Sequence, residues 1–147
     1  MPSLFDLLTL VKHVLASYVL VWTIATPAIL LALSICRVSF TTDYETLMSS
    51  IPPYLSTMIV CSSAIPSYYI PASCYFKKVK RKITIGFIVI IALAFWGLSM
   101  LLDLVLVVMI FGINILTYPF NWIYPSVSPL MIASVYLAGI RTLYRVE

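Results

Sequence analysis

KKVKRKITIGFIVIIALAFWGLSMLLDLVLVVMIFGINIL, residues 77–116, opens with five positive charges in six positions and then runs 34 residues with one formal charge, Asp103. The apolar part is too long for an ordinary buried helix and long enough to cross a bilayer, and a basic run beside such a segment is held on the cytoplasmic side. At 1.5 Å per residue, positions 83–116 amount to about 51 Å of helix against a hydrocarbon layer of roughly 30 Å. Nothing turn-like surrounds Asp103. The stretch therefore predicts a long tilted helix over 83–112 that stops near Gly112 and Asn114; the alternative is a chain that folds back after Asp103.

The whole chain shares this character. Of its 147 residues 63% are apolar and 10% charged, with a mean hydropathy of +1.09, whereas soluble domains carry about 45–50% apolar and about 25% charged residues. That balance excludes an ordinary soluble domain, a disordered chain, a disulfide-stapled miniprotein and a nucleic-acid binder with a solvated basic face. At about 20 residues per crossing the length allows four or five spans and no separate extramembrane domain. The expected fold class is an all-α integral membrane protein, a single membrane domain over 1–147.

Upstream of the basic run, residues 54–76 again lack formal charge but hold Ser56, Thr57, Ser62, Ser63, Ser67, Ser73, Pro66 and Pro71. This is the least hydropathic candidate span. Its prolines break the hydrogen-bond ladder twice, so its freed carbonyls need serines or neighbouring helices, and it should face protein. Further upstream, 14–36 is a third uncharged stretch, preceded by a helix start near Leu4 with Ser3 and Asp6 as a capping-box-like pair. Pro27 predicts a kink there, with Thr23 and Thr26 covering freed carbonyls. A cleavable signal is not expected, because Asp6 precedes the apolar stretch and a basic n-region is missing. Between these spans SFTTDYETLMSSIPP, residues 39–53, marks an outer loop over 37–53.

Downstream, TYPFNWIYPSVSP, residues 117–129, sets Tyr118, Phe120, Trp122 and Tyr124 among three prolines. That composition suits an interfacial aromatic loop over 113–125, followed by a last span over 126–143 with Ser128 as N-cap and Pro129 at the first helical position. The result is a four-transmembrane-helix bundle with both termini and the basic loop 77–82 inside. Eight of the nine basic residues then lie on the cytoplasmic side and only Arg37 outside, which supports the weak second span independently of its hydropathy.

Chemistry-bearing residues are few. An acid within an apolar helix costs several kcal/mol if isolated and is a functional candidate by default. Asp103, however, lies about 30 Å along its helix from Ile83, near the outer boundary, so an interfacial pair with Arg37 is the expected arrangement. His13 is the only histidine, which excludes clustered-imidazole metal sites; beside Lys12 at a helix entry it is expected to be hydrated. Cys36, Cys61 and Cys74 form no C-x-x-C and read as small buried residues. Glycine is scarce and G-x-x-x-G is absent, so close glycine-mediated crossings are not indicated. Lys77, Lys78, Lys80, Arg81 and Lys82 set orientation and meet anionic lipid headgroups.

No phosphate loop, nucleophile elbow, zinc motif or paired carboxylates occur, so no cofactor, no metal and no catalytic residue are expected. The favoured function is a non-catalytic small subunit or assembly partner of a larger membrane complex, contacting other integral membrane subunits and no nucleic acid. The alternative is a small oligomeric ion- or proton-coupled transporter using Asp103 and the Ser/Pro-rich second span, which would make the chain a homo-oligomer.

Overall fold

The computed structural model describes residues 4–37, 51–79, 83–109 and 123–144, and among these it is all-helical, without a strand. Helix α1 spans Leu4–Ile35, α2 Pro53–Lys78, α3 Ile85–Asp103 and α4 Ile123–Leu143; α3 continues without a break into a π-helical turn, Leu104–Val108. Three of the four, α1, α3 with its extension, and α4, are long and apolar enough to cross a membrane. Helix α2 is long enough but too rich in serine and proline to rank with them, the weakness its composition announced.

The helix ends follow local chemistry. Pro52 and Pro53 begin α2, where a missing N–H costs nothing because the first turn has no acceptor for it. Thr84 caps α3, its hydroxyl oxygen accepting from the Phe87 N–H at 3.3 Å, a cap not expected from a span drawn from Ile83. Lys77 and Lys78 belong to the last turn of α2 rather than to a loop, where they complement its carbonyl end. Helix α4 starts at Ile123, earlier than expected, so Ser128 is no N-cap and Pro129 lies inside the helix. Pro125 takes the tolerated first-turn place instead. The expected third-span ending at 112–114, and the Ser3 half of the capping pair, lie outside the described residues.

Packing places α1 against α2 and α3, and α4 against α2 and α3. His13 meets Tyr75 while Leu33 shares a core with Ile51, so α1 and α2 run antiparallel. Helices α1 and α3 run parallel, Leu10 lying by Ile91 and Tyr18 by Asp103. One end thus collects Lys12, Lys77, Lys78 and Arg141, with Arg141 Nη1 donating to the Tyr69 hydroxyl across α4 and α2 at 2.9 Å. The centre is aromatic. Tyr75 packs edge-on to Phe95 at 6.2 Å and Phe76 to Phe87 at 6.3 Å, joining α2 to α3 across the middle, each such pair adding about 0.5–1.5 kcal/mol beyond burial.

Helix α2 turns its small and hydroxyl residues inward: Ser56, Ser63, Ala64, Ser67 and Ala72 are all buried. Its serines do not serve the prolines as expected. Pro66 and Pro71 free the carbonyls of Ser62 and Ser67, yet Ser62 and Ser63 donate to Ile59 and Val60. In α1 the Thr23 hydroxyl likewise donates to Val19 rather than to the carbonyl left open by Pro27. A hydroxyl three or four residues along a helix reaches back to the preceding turn most easily, which is why it misses its own carbonyl.

One close crossing does rest on glycine, contrary to the motif count. A Cβ at Gly139 would lie 2.6 Å from Ile88 Cγ2 and 3.0 Å from the Phe76 ring, whereas at Gly97 it would meet nothing within 4 Å. Ile88 is fully buried and β-branched, so it has no room to turn away. Gly139→Ala should therefore lower stability by about 1–3 kcal/mol despite alanine's better helix propensity. Gly97→Ala should raise it by up to about 1 kcal/mol. Side-by-side unfolding midpoints of the two variants test this; equal shifts would remove Gly139 from the packing argument.

Candidate functional site

Asp103 is the last residue of α3 before the π turn, and its side chain points between helices. The Tyr18 hydroxyl of α1 donates to its Oδ1 at 2.7 Å, across 85 residues of sequence. Tyr68 of α2 is buried beside this pair, and Ser99, one turn before Asp103 on the same face of α3, is buried too. Trp22, one turn beyond Tyr18, closes the cluster edge-on at 6.3 Å. Three helices thus meet at one carboxylate, at the point where α3 changes from α to π geometry, a local widening that recurs at functional sites.

Chemically the cluster is a single acid among hydroxyls. Tyr18 donates to an acceptor that carries charge when ionised, a stronger class of hydrogen bond than a neutral one. The hydroxyls of Ser67 and Ser99 and the indole N–H of Trp96 are buried without a hydrogen bond from the described protein groups. Among the described residues no three His, Cys, Asp or Glu side chains come together as a metal site.

The expected partner of Asp103 is elsewhere. Arg37 lies 19 residues beyond Tyr18, roughly 28 Å along α1 at 1.5 Å per residue, well past the reach of a guanidinium. It is exposed and ends α1 in the left-handed backbone region at φ 55°. The pair failed because α1 begins at Leu4, with Asp6 and Leu7 beside Thr84 and Phe87 at the start of α3, which sets Asp103 level with the first half of α1, whereas the expectation set Val14 level with Ile83.

His13 is buried at 6% exposure, not hydrated. Its Nδ1 donates to the Thr9 carbonyl at 2.6 Å and its ring meets Tyr75 edge-on at 5.9 Å, because position 13 falls on the α2-facing stripe with Leu10, Val14 and Ser17. All three cysteines are free; Cys36 and Cys61 are half-buried, and Cys74 is exposed rather than buried. Lys80, Arg81 and Lys82 lie outside the described residues.

A second feature lies at the basic end, where α1 and α3 separate. There a groove of about 600 Å³ is lined by Leu7 and Leu10 of α1, Phe87, Ile90, Ile91 and Ala94 of α3, and Tyr75 of α2, with Asp6 and Thr84 as its polar groups. Tyr18 and Tyr68 were missed from sequence alone. The available signal was their position: Tyr18 continues the period of Leu10, Val14 and Ser17.

Tyr18→Phe and Asp103→Ala should each destabilise the fold, and their double-mutant cycle should give a coupling of about 1 kcal/mol, inside the range of interhelical hydrogen bonds in membrane proteins. Asp103→Asn, which keeps a carbonyl acceptor, should cost less than Asp103→Ala. A coupling near zero would mean that the contact does not hold α1 to α3. Neither a protein-family model, nor a curated protein, nor a solved structure matches this chain.

Proposed function

We propose that the chain is a four-span integral membrane protein, with both termini and the basic segment 77–82 on the cytoplasmic side, that serves as a non-catalytic subunit or stabilising partner of a larger membrane complex. The observation that carries this reading is the amount of apolar side chain that α1 leaves exposed in the bundle. Leu8, Val19, Leu31 and Ile35 are each at least 63% exposed, and at 3.6 residues per turn Leu31 and Ile35 lie on another side of the helix from Leu8 and Val19. Beyond the exposed Lys12 the charge-free part of α1 runs about 32 Å, close to a hydrocarbon thickness of about 30 Å, and it keeps large apolar groups open on more than one side. Such surface is open to another membrane protein as well as to lipid.

The fourth crossing rests on α2. With Ser56, Ser63, Ser67, Tyr68 and Tyr75 turned inward, much of its low hydropathy is spent on the protein interior, which is how a polar helix is tolerated in a bilayer. The basic side chains at its end meet anionic headgroups. A second reading, a small oligomeric transporter, is favoured by the buried, unbonded Ser67 and Ser99 hydroxyls near the Asp103 cluster. Against it, Tyr18 ties the carboxylate between helices.

Extraction from the native membrane in mild detergent followed by native mass spectrometry should return the chain with foreign subunits in fixed stoichiometry. A monomer or pure homo-oligomer would overturn the subunit reading, and ion flux lost in Asp103→Asn but kept in Asp103→Glu would establish the transporter. For the topology, Lys80→Cys should react with an impermeant thiol reagent only from the cytoplasmic side; labelling from outside would reverse the arrangement.

A further inference from the structure

We infer that the groove between α1 and α3 is a binding site for one acyl chain of an anionic phospholipid, its phosphate resting at the basic mouth. The inference rests on the membrane placement proposed above and adds a ligand to it.

Dimensions select the occupant. The lining residues of α3 run from Thr84 to Ala94, about 15 Å, which is half the hydrocarbon thickness and so the depth of one leaflet. A partner helix of that length, about 10 Å across, would fill roughly 1,200 Å³, twice the groove's approximately 600 Å³. A single chain suits it, and the volume falls within the usual range of small-ligand sites.

Polarity orients the ligand. The walls are apolar throughout the inner part, and the polar groups, Asp6 and Thr84, stand at the end where α3 begins. Thr84 accepts from Phe87 through its oxygen, and a hydroxyl in that role can also donate to an acceptor such as an ester carbonyl. Lys78 is exposed and sits one turn beyond the lining residue Tyr75 on the same side of α2, toward the end where Asp6 and Thr84 stand. With Lys77 in the same last turn and Arg141 in the last turn of α4, cations toward that end outnumber the lining acid Asp6, and the headgroup they complement is anionic.

The groove lies toward the basic end of α1 and α3, away from the contact between Tyr18 and Asp103 that joins them. Gly86 keeps it open: a Cβ there would meet nothing within 4 Å. A large side chain at 86 would occupy the groove instead of colliding with the protein.

The test uses the full chain in nanodiscs of equal parts phosphatidylglycerol and phosphatidylcholine, released into mild detergent and weighed by native mass spectrometry. One retained phosphatidylglycerol per chain is expected. Gly86→Trp should lose it, and Lys78→Gln should weaken the preference over phosphatidylcholine about five-fold, the equivalent of roughly 1 kcal/mol for one basic contact. Wild-type protein without retained lipid, or with no preference for the anionic one, would overturn the assignment, as would full retention by Gly86→Trp. Should that variant fail to fold, phosphatidylglycerol with a photoreactive acyl chain should label Leu7, Phe87, Ile90 and Ala94. Equal labelling of Val19 and Leu31 on the outer face would count against the groove. A chain stripped from its membrane by alkaline carbonate would defeat the membrane placement, whereas one that resists and retains no lipid defeats the groove alone.

Discussion

A carboxylate inside an apolar helix has to find a donor, and here the Tyr18 hydroxyl answers Asp103 across α1 and α3. The rest of the arrangement depends on that tie. It fixes the parallel register of two helices that otherwise touch sparingly, and it sets Tyr68 of α2 against the pair. Toward the other ends of α1 and α3 lies the groove over Tyr75 and Phe87. The magnitudes are instructive. An Asp at the centre of a bilayer costs about 2.5–3.5 kcal/mol on insertion scales, while interhelical hydrogen bonds average about 0.6 and reach about 1.7. One phenol does not offset the full cost of a central position, and Asp103, level with Tyr18 partway along α1, is half-buried where three helices meet.

Between the remaining helices, shape does what hydrogen bonds do at Asp103. In lipid there is no hydrophobic gain from bringing helices together, and close packing must supply the adhesion. Gly139 brings the α4 backbone directly against the Ile88 and Phe76 side chains, joining α4 to both α3 and α2. The edge-on rings of Tyr75, Phe76, Phe87 and Phe95 fill the centre with directional contacts. Helix α2 contributes to most of these interfaces although it is the least apolar of the four, because small and hydroxyl residues let neighbours approach and can still bond their own backbone.

The extent to which this was legible in the sequence divides along a physical line. Charge-free stretches and basic punctuation are properties of single segments, and they marked four helices close to where they lie, including α2 with its poor hydropathy. Relations between segments were not legible. Pairing Asp103 with Arg37 needed the axial offset of α1 against α3, and no single helix encodes an offset. The burial of His13 needed the azimuth of α1 relative to α2. Gly139 was hidden for the same reason: a G-x-x-x-G search detects a repeated small residue on one helix, whereas this crossing uses one glycine opposite a bulky, branched partner. The start of α4 was placed late because Pro129 reads equally well as a first-turn proline, and the nearer Pro125 in fact fills that place.

The same division bears on function. If Asp103 lined an ion path, its neighbours would be arranged to exchange partners, whereas here its carboxylate accepts from the Tyr18 phenol of the facing helix at 2.7 Å. A clasp that joins α1 to α3 needs no exchange. It holds α1 against its neighbours while Leu8, Val19, Leu31 and Ile35 of that helix stay exposed. A helix held in place by its inner side, with apolar side chains open on its other sides, fits the stabilising partner proposed above.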